Sequence, residues 1–142
     1  MPTIMGASLG TILLATAAGW IFGAIWYGAL FSRHWMAAAG LTEERIRGST
    51  GRPSPMPFII SFLLEFVMAL VLAVLFAHTA KSGLTLGAAL ASAFFLWLGF
   101  VATTQTINHR YSMAPWSLTF IDCGHWLGVL LIQAAVMALV GL

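Results

Sequence analysis

The chain has 142 residues, of which 61% are hydrophobic and 7% charged, with six Lys/Arg against four Asp/Glu and a net charge of +2. Soluble domains carry about 25% charged residues, so this composition excludes an ordinary soluble enzyme domain. It also argues against nucleic acid as a partner. The pI near 9.2 comes from scattered basic residues rather than a clustered patch.

A membrane-spanning helix takes about 20 mostly apolar residues. Four segments qualify, at about 4–30, 56–79, 84–108 and 116–141. They use most of the chain, so 1–142 is expected to be a single polytopic membrane domain whose first partner is the lipid bilayer. The first segment lacks a positive n-region, since Met1-Pro2-Thr3 carries no Lys or Arg, and it is expected to be a retained helix. Along it, Ala7, Thr11, Ala15, Gly19 and Gly23 recur every four positions as one ridge. Small residues let helix backbones approach closely in lipid, so Gly19 and Gly23 are helix-packing candidates, within the bundle or between subunits.

Nothing stops this helix before Gly40, a favourable C-cap. A straight helix over 4–39 would be roughly 54 Å long, well beyond a hydrocarbon core of about 30 Å. An extension to about residue 40 with a bend near Gly28 is therefore expected, with Trp26, Tyr27 and Trp35 as interface anchors. Loop one then holds a candidate short helix from Thr42, its N-cap, to Arg47, stopped by Gly48. The following Gly-, Ser- and Pro-rich stretch, 48–57, is expected to be extended and mobile.

The later segments carry the polar chemistry. In Met56–Thr79, Ser61, Glu65, Ala69, Ala73 and Ala77 share one face, which puts Glu65 toward protein. A carboxylate at the centre of a span costs about 3 kcal/mol on insertion scales, so intramembrane acids are usually paired or used. The third segment closes with Thr104 and Asn108 at i,i+4. In the fourth, Asp122, His125, Val129 and Gln133 fall within about 80° of one another, and Gly124 and Gly128 offer a second packing face. Short connections after the second and third spans make sequential helices antiparallel neighbours, which gives an all-α, up-down four-helix bundle.

Arg33, Arg45, Arg47, Arg52 and Arg110 fall in loops one and three, and only Lys81 in loop two. The positive-inside rule then places loops one and three in the cytoplasm and both termini on the non-cytoplasmic side. Glu65 lies about 12 Å into its helix from loop one. Asp122 and His125 lie in the first turns after loop three, so one polar cluster of Glu65, Asp122, His125, Asn108, Thr104 and Gln133 is expected near that side. Hydrogen bonds between membrane helices are also common glue, worth about 0.6 kcal/mol each, and the Thr, Asn and Gln residues fit that role. His34, His78 and His109 sit at helix ends as interfacial residues, and Cys123 fits packing. Gly6-Ala7-Ser8-Leu9-Gly10 matches the nucleophile pattern G-x-S-x-G but opens a membrane helix instead of an elbow. A single Asp122-x-x-His125 lacks the second pair that helical metal sites use, so no metal and no cofactor are expected.

The stretch Trp26-Tyr27-Gly28, Phe31, Trp35-Met36 and Gly40, with the later Asn108 and Ile121-Asp122-x-Gly124-His125, resembles a bacterial membrane family, domain of unknown function 1761. Ala29 stands where that family commonly has proline. The resemblance implies a small four-helix protein of the bacterial inner membrane and carries no activity or substrate. Function rests on the polar residues. One reading is a transport- or channel-like protein, assembled as a homo-oligomer through a small-residue ridge, that handles a proton, ion or small polar solute. The other is a non-catalytic scaffold whose polar residues fix helix packing. An enzyme is the weakest reading, for want of a nucleophile or cofactor motif.

Overall fold

The computed structural model describes residues 2–142. It begins with a short hairpin, β1 (Thr3–Ile4) paired antiparallel with β2 (Ala7–Ser8). Met5 and Gly6 between them both have positive φ, 50° and 90°, the requirement of a two-residue hairpin turn that keeps the strand twist. The first helix therefore starts at Leu9 and not at residue 4. Ser8, the G-x-S-x-G serine, is its N-cap and accepts from the Thr11 amide at 3.5 Å.

Helix α1 covers Leu9–Ile25 and continues as a π-helical turn over Trp26–Leu30. The expected bend lies here. Phe31 leaves helical geometry at φ −121° and ψ 14°, and α2 (Ser32–Ala39) starts anew, ending at Gly40 in the left-handed region. The short helix α3 (Glu43–Arg47) is capped by Thr42, whose hydroxyl accepts from the Arg45 amide at 3.2 Å. The following segment is not simply extended: it forms a 3-10 turn, Gly48–Thr50, before α4 (Met56–Thr79). The third span runs as α5 (Leu86–Leu96), a second π-helical turn (Trp97–Ala102) and α6 (Thr103–Tyr111), and α7 (Trp116–Val140) closes the chain.

Four continuous helical stretches are long and apolar enough to cross a membrane: Leu9–Leu30, Met56–Thr79, Leu86–Tyr111 and Trp116–Val140. Leu14, Ile21, Leu64, Val71, Phe95 and Phe120 point outward along them. So much exposed apolar surface needs lipid rather than water as its solvent. The chain is an integral membrane protein with an all-α bundle fold.

The bundle is not a simple ring of sequence neighbours. The central pair is α1 and α7; α4 packs on α1, α5 packs on α7, and α4 meets α7 more lightly. Although joined by only residues 80–85, α4 and α5 make at most incidental contact, so the expected pairing of spans two and three does not form. The reason lies in the small-residue faces. Ala7 on β2, Thr11, Ala15 and Gly19 on α1, Ala69 and Ala73 on α4, Ala89 and Ala93 on α5 and Ala134 on α7 are all buried. Close approach is thereby directed to the α1–α7 seam. Thr11 Oγ1 donates to the Gly141 carbonyl at 2.7 Å and ties the start of α1 to the end of α7.

Candidate functional site

On the loop-one side of the bundle, α1, α4 and α7 diverge around a cavity of about 600 Å³. Five aromatic residues stand in its wall: Trp20 and Tyr27 from α1 and its π-helical turn, Trp35 from α2, Phe58 from α4 and Trp126 from α7. Ile46 of α3 with Pro53 and Ser54 of loop one bound it on the outer side, so this loop is part of the site. Two ionisable side chains from the spans beside Tyr27 complete it: Glu65 from α4 and His125 from α7.

Glu65 is 2% exposed and His125 4%. The Gly ridge of α1 makes room for both. A Cβ on Gly19 would lie 3.1 Å from Glu65 Oε2, and one on Gly23 would lie 2.8 Å from His125 Nε2. Two glycines one turn apart on α1 thus seat one polar group each from α4 and α7. Among the described residues the Glu65 carboxylate has no hydrogen-bond partner, and its Oε2 is buried. His125 Nδ1 and Gln133 Oε1 are likewise buried and unpartnered. Gln133, fully buried about two turns beyond His125 on α7, donates from Nε2 to the Glu65 backbone carbonyl at 3.1 Å. His125 lies among rings, stacked on Phe22 at 6.1 Å and tilted against Tyr27 at 4.8 Å.

Asp122 belongs to a second, adjoining group and does not line the cavity. Its Oδ1 accepts from the Tyr27 hydroxyl at 2.6 Å, and its Oδ2 lies 3.6 Å from His109 Nε2. Thr119 Oγ1 accepts from Arg110 at 2.6 Å and lies 2.9 Å from His109 Nδ1. Arginine has donors only, so the Thr119 oxygen is the acceptor in that bond, and His109 bridges Thr119 and Asp122 through its two ring nitrogens. Arg110 also lies over the Trp116 ring, 3.7 Å from its centroid. Tyr27 joins the two groups, with its ring in the cavity and its hydroxyl on Asp122.

Comparison with known families gives one match. Residues 11–138 match the family described as protein of unknown function (DUF1761). The chain belongs to the DUF1761 family. No curated protein and no solved structure matches it.

The structure of this DUF1761 chain brings Glu65, His125 and Gln133 together, sets Asp122 beside them, and leaves two expected members out. Thr104 and Asn108 are exposed on the outside of α6, and Thr104 Oγ1 bonds back to the Phe100 carbonyl at 2.5 Å. Hydropathy does not say which face of a helix packs. Trp26 and Tyr27, expected as lipid-interface anchors, turn inward: the Trp26 indole donates to the Ile121 carbonyl at 3.1 Å. From α5's side, Trp97 makes the matching bond to the Cys123 carbonyl at 2.8 Å. Each of these tryptophans opens a π-helical turn in a W-x-G sequence, Trp26-Tyr27-Gly28 and Trp97-Leu98-Gly99. Gly124 and Gly128 give Trp26 and Phe22 their seats, since a Cβ on Gly128 would overlap the Phe22 ring.

Sequence reasoning missed Trp20 and Trp126, and it read His109 as an interfacial residue where the structure sets it between Asp122 and Thr119. Spacing carried a signal for the first, because Trp20, Gly23 and Tyr27 recur at helical intervals beside the ridge. Among the described residues no group of three His, Cys, Asp or Glu could hold a metal ion.

Proposed function

We propose that this protein is a transport-like membrane protein in which the cavity between α1, α4 and α7 receives a small solute, and Glu65 exchanges a proton or cation there. The observation that carries this reading is the Glu65 carboxylate itself. It lines the cavity, is 2% exposed, and has no hydrogen-bond partner among the described residues. A residue kept as structural glue satisfies its polar atoms with protein partners, because an unpartnered buried group is costly. Glu65 uses only its backbone carbonyl that way, toward Gln133. The site lies toward loops one and three, which hold five of the six Lys/Arg, and in this reading those loops face the cytoplasm of a bacterial inner membrane.

The scaffold reading has its own support in the Tyr27–Asp122 and Gln133–Glu65 bonds, which tie α1 and α4 to α7. The two readings part at Glu65→Gln and Glu65→Leu. In proteoliposomes containing a pH-sensitive dye, wild type should carry a pH-dependent flux that both variants lose while remaining folded. A Glu65→Leu protein that is more stable than wild type and unchanged in flux would end the transport reading.

A further inference from the structure

Resting on that reading, we infer that the cavity binds a monovalent organic cation with an apolar body, a protonated amine or quaternary onium, its charge on Glu65 and its body among the indole and phenol rings. The hydrogen-bonding inventory of the wall narrows the chemistry. Trp20 Nε1 is taken by the Phe58 carbonyl at 3.1 Å and by Ser61 Oγ at 3.0 Å. Ser61 in turn donates to the Phe58 carbonyl at 2.9 Å, and the Tyr27 hydroxyl is taken by Asp122. What remains unpartnered and buried is Glu65 Oε2 and His125 Nδ1. A bare divalent cation such as calcium needs about six oxygen ligands, which this wall does not offer. An anion would meet the carboxylate with no Lys or Arg among the lining residues.

A cation with an apolar body fits on each count. Aromatic faces attract cations through the ring quadrupole, most strongly when the site is desolvated. The volume, about 600 Å³, lies in the range of drug-sized ligand sites. The exposed arginines of loop one, Arg33, Arg45, Arg47 and Arg52, do not line the cavity, yet they disfavour arrival of a cation through the loop. A shallow apolar groove on the lipid-facing side of α1 and α4 shares Trp20 and Phe58 with the cavity. A ligand with an apolar body can reach that groove from the bilayer.

The test uses tetraphenylphosphonium and tetraphenylborate, matched in shape and opposite in charge, titrated into wild-type protein in nanodiscs of uncharged lipid, with binding read by tryptophan fluorescence. Saturable binding of tetraphenylphosphonium is expected, weakened about ten-fold or more in Glu65→Gln and largely kept in Glu65→Asp. Binding should also weaken on acidification, because protons compete for Glu65; His125 on α7 and Tyr27 beside α1 are the other titratable groups facing the cavity, and a protonated His125 opposes a cation in the same direction. Equal binding to wild type and Glu65→Gln, or tetraphenylborate binding the protein as tightly as its cation once uptake by protein-free nanodiscs is subtracted, overturns the inference. If tetraphenylphosphonium fails to bind while a Glu65-dependent flux persists, the cation class falls and the transport reading stands. Glu65-dependent cation binding without any flux supports the ligand class and removes the transport step.

Discussion

Tyr27 has two duties that its side chain separates along its length. The ring faces His125 at 4.8 Å inside the cavity, and the hydroxyl donates to Asp122 at 2.6 Å outside it. A hydrogen bond to a charged acceptor contributes about 1.5–3 kcal/mol, and Asp122 has only His109, at 3.6 Å, as a second partner. Tyr27→Phe should therefore lower stability by about that amount while leaving the cavity wall in place. In a Tyr27→Phe/Asp122→Asn double variant the loss should be smaller than the sum of the single losses, as for any directly coupled pair. Unfolding in mixed micelles measures both; a silent Tyr27→Phe would show that the bond does not hold α7 to the π-helical turn. Glu65, His125 and Gln133 were legible in the sequence because a polar side chain in an apolar run stands out. Tyr27 was not, since an aromatic residue at a span's end fits a lipid interface and a protein contact equally well.

The ridge of α1 decides what that helix touches. Its small residues face α4 and α7 of the same chain, where Gly19 meets Glu65 and Val129 and Gly23 meets His125. It is already covered and does not offer a surface for a second copy. Gly23→Ala would force His125 to shift, since the new Cβ would stand 2.8 Å from Nε2. Overpacking of this kind costs about 1–3 kcal/mol, so the variant should unfold more readily than wild type. Its crosslinking yield in membranes should not change. Reduced crosslinking with unchanged stability would instead place the ridge between subunits. The extent of the spans was legible from hydropathy to within a few residues at most ends. The start of the first was not, because Ile4 and Met5 are as apolar as the helix that follows, and only the Met5–Gly6 turn geometry separates them. The π-helical turns left no mark on hydropathy either, although both W-x-G sequences lie in them.

At the scale of the whole molecule, pairing α1 with α7 at the centre determines where a cavity can exist. The spans α4 and α5 flank that pair on different sides, and α4 alone closes the site against α1. Loop one then folds Trp35, Ile46 and Pro53 against the outer side of the same space. Neighbour order in the bundle was not legible, since loop length limits which helices can be adjacent without choosing among them. A Glu65 carboxyl that stands free in a reachable cavity is open to covalent modification. A lipid-soluble carbodiimide reacts with a carboxyl group that apolar reagents can reach. Treatment of the protein in membranes, followed by peptide mass spectrometry, should give an adduct on Glu65 and little on Asp122, which Tyr27 and His109 engage. Absence of any adduct on Glu65, with Asp122 modified instead, would contradict the account.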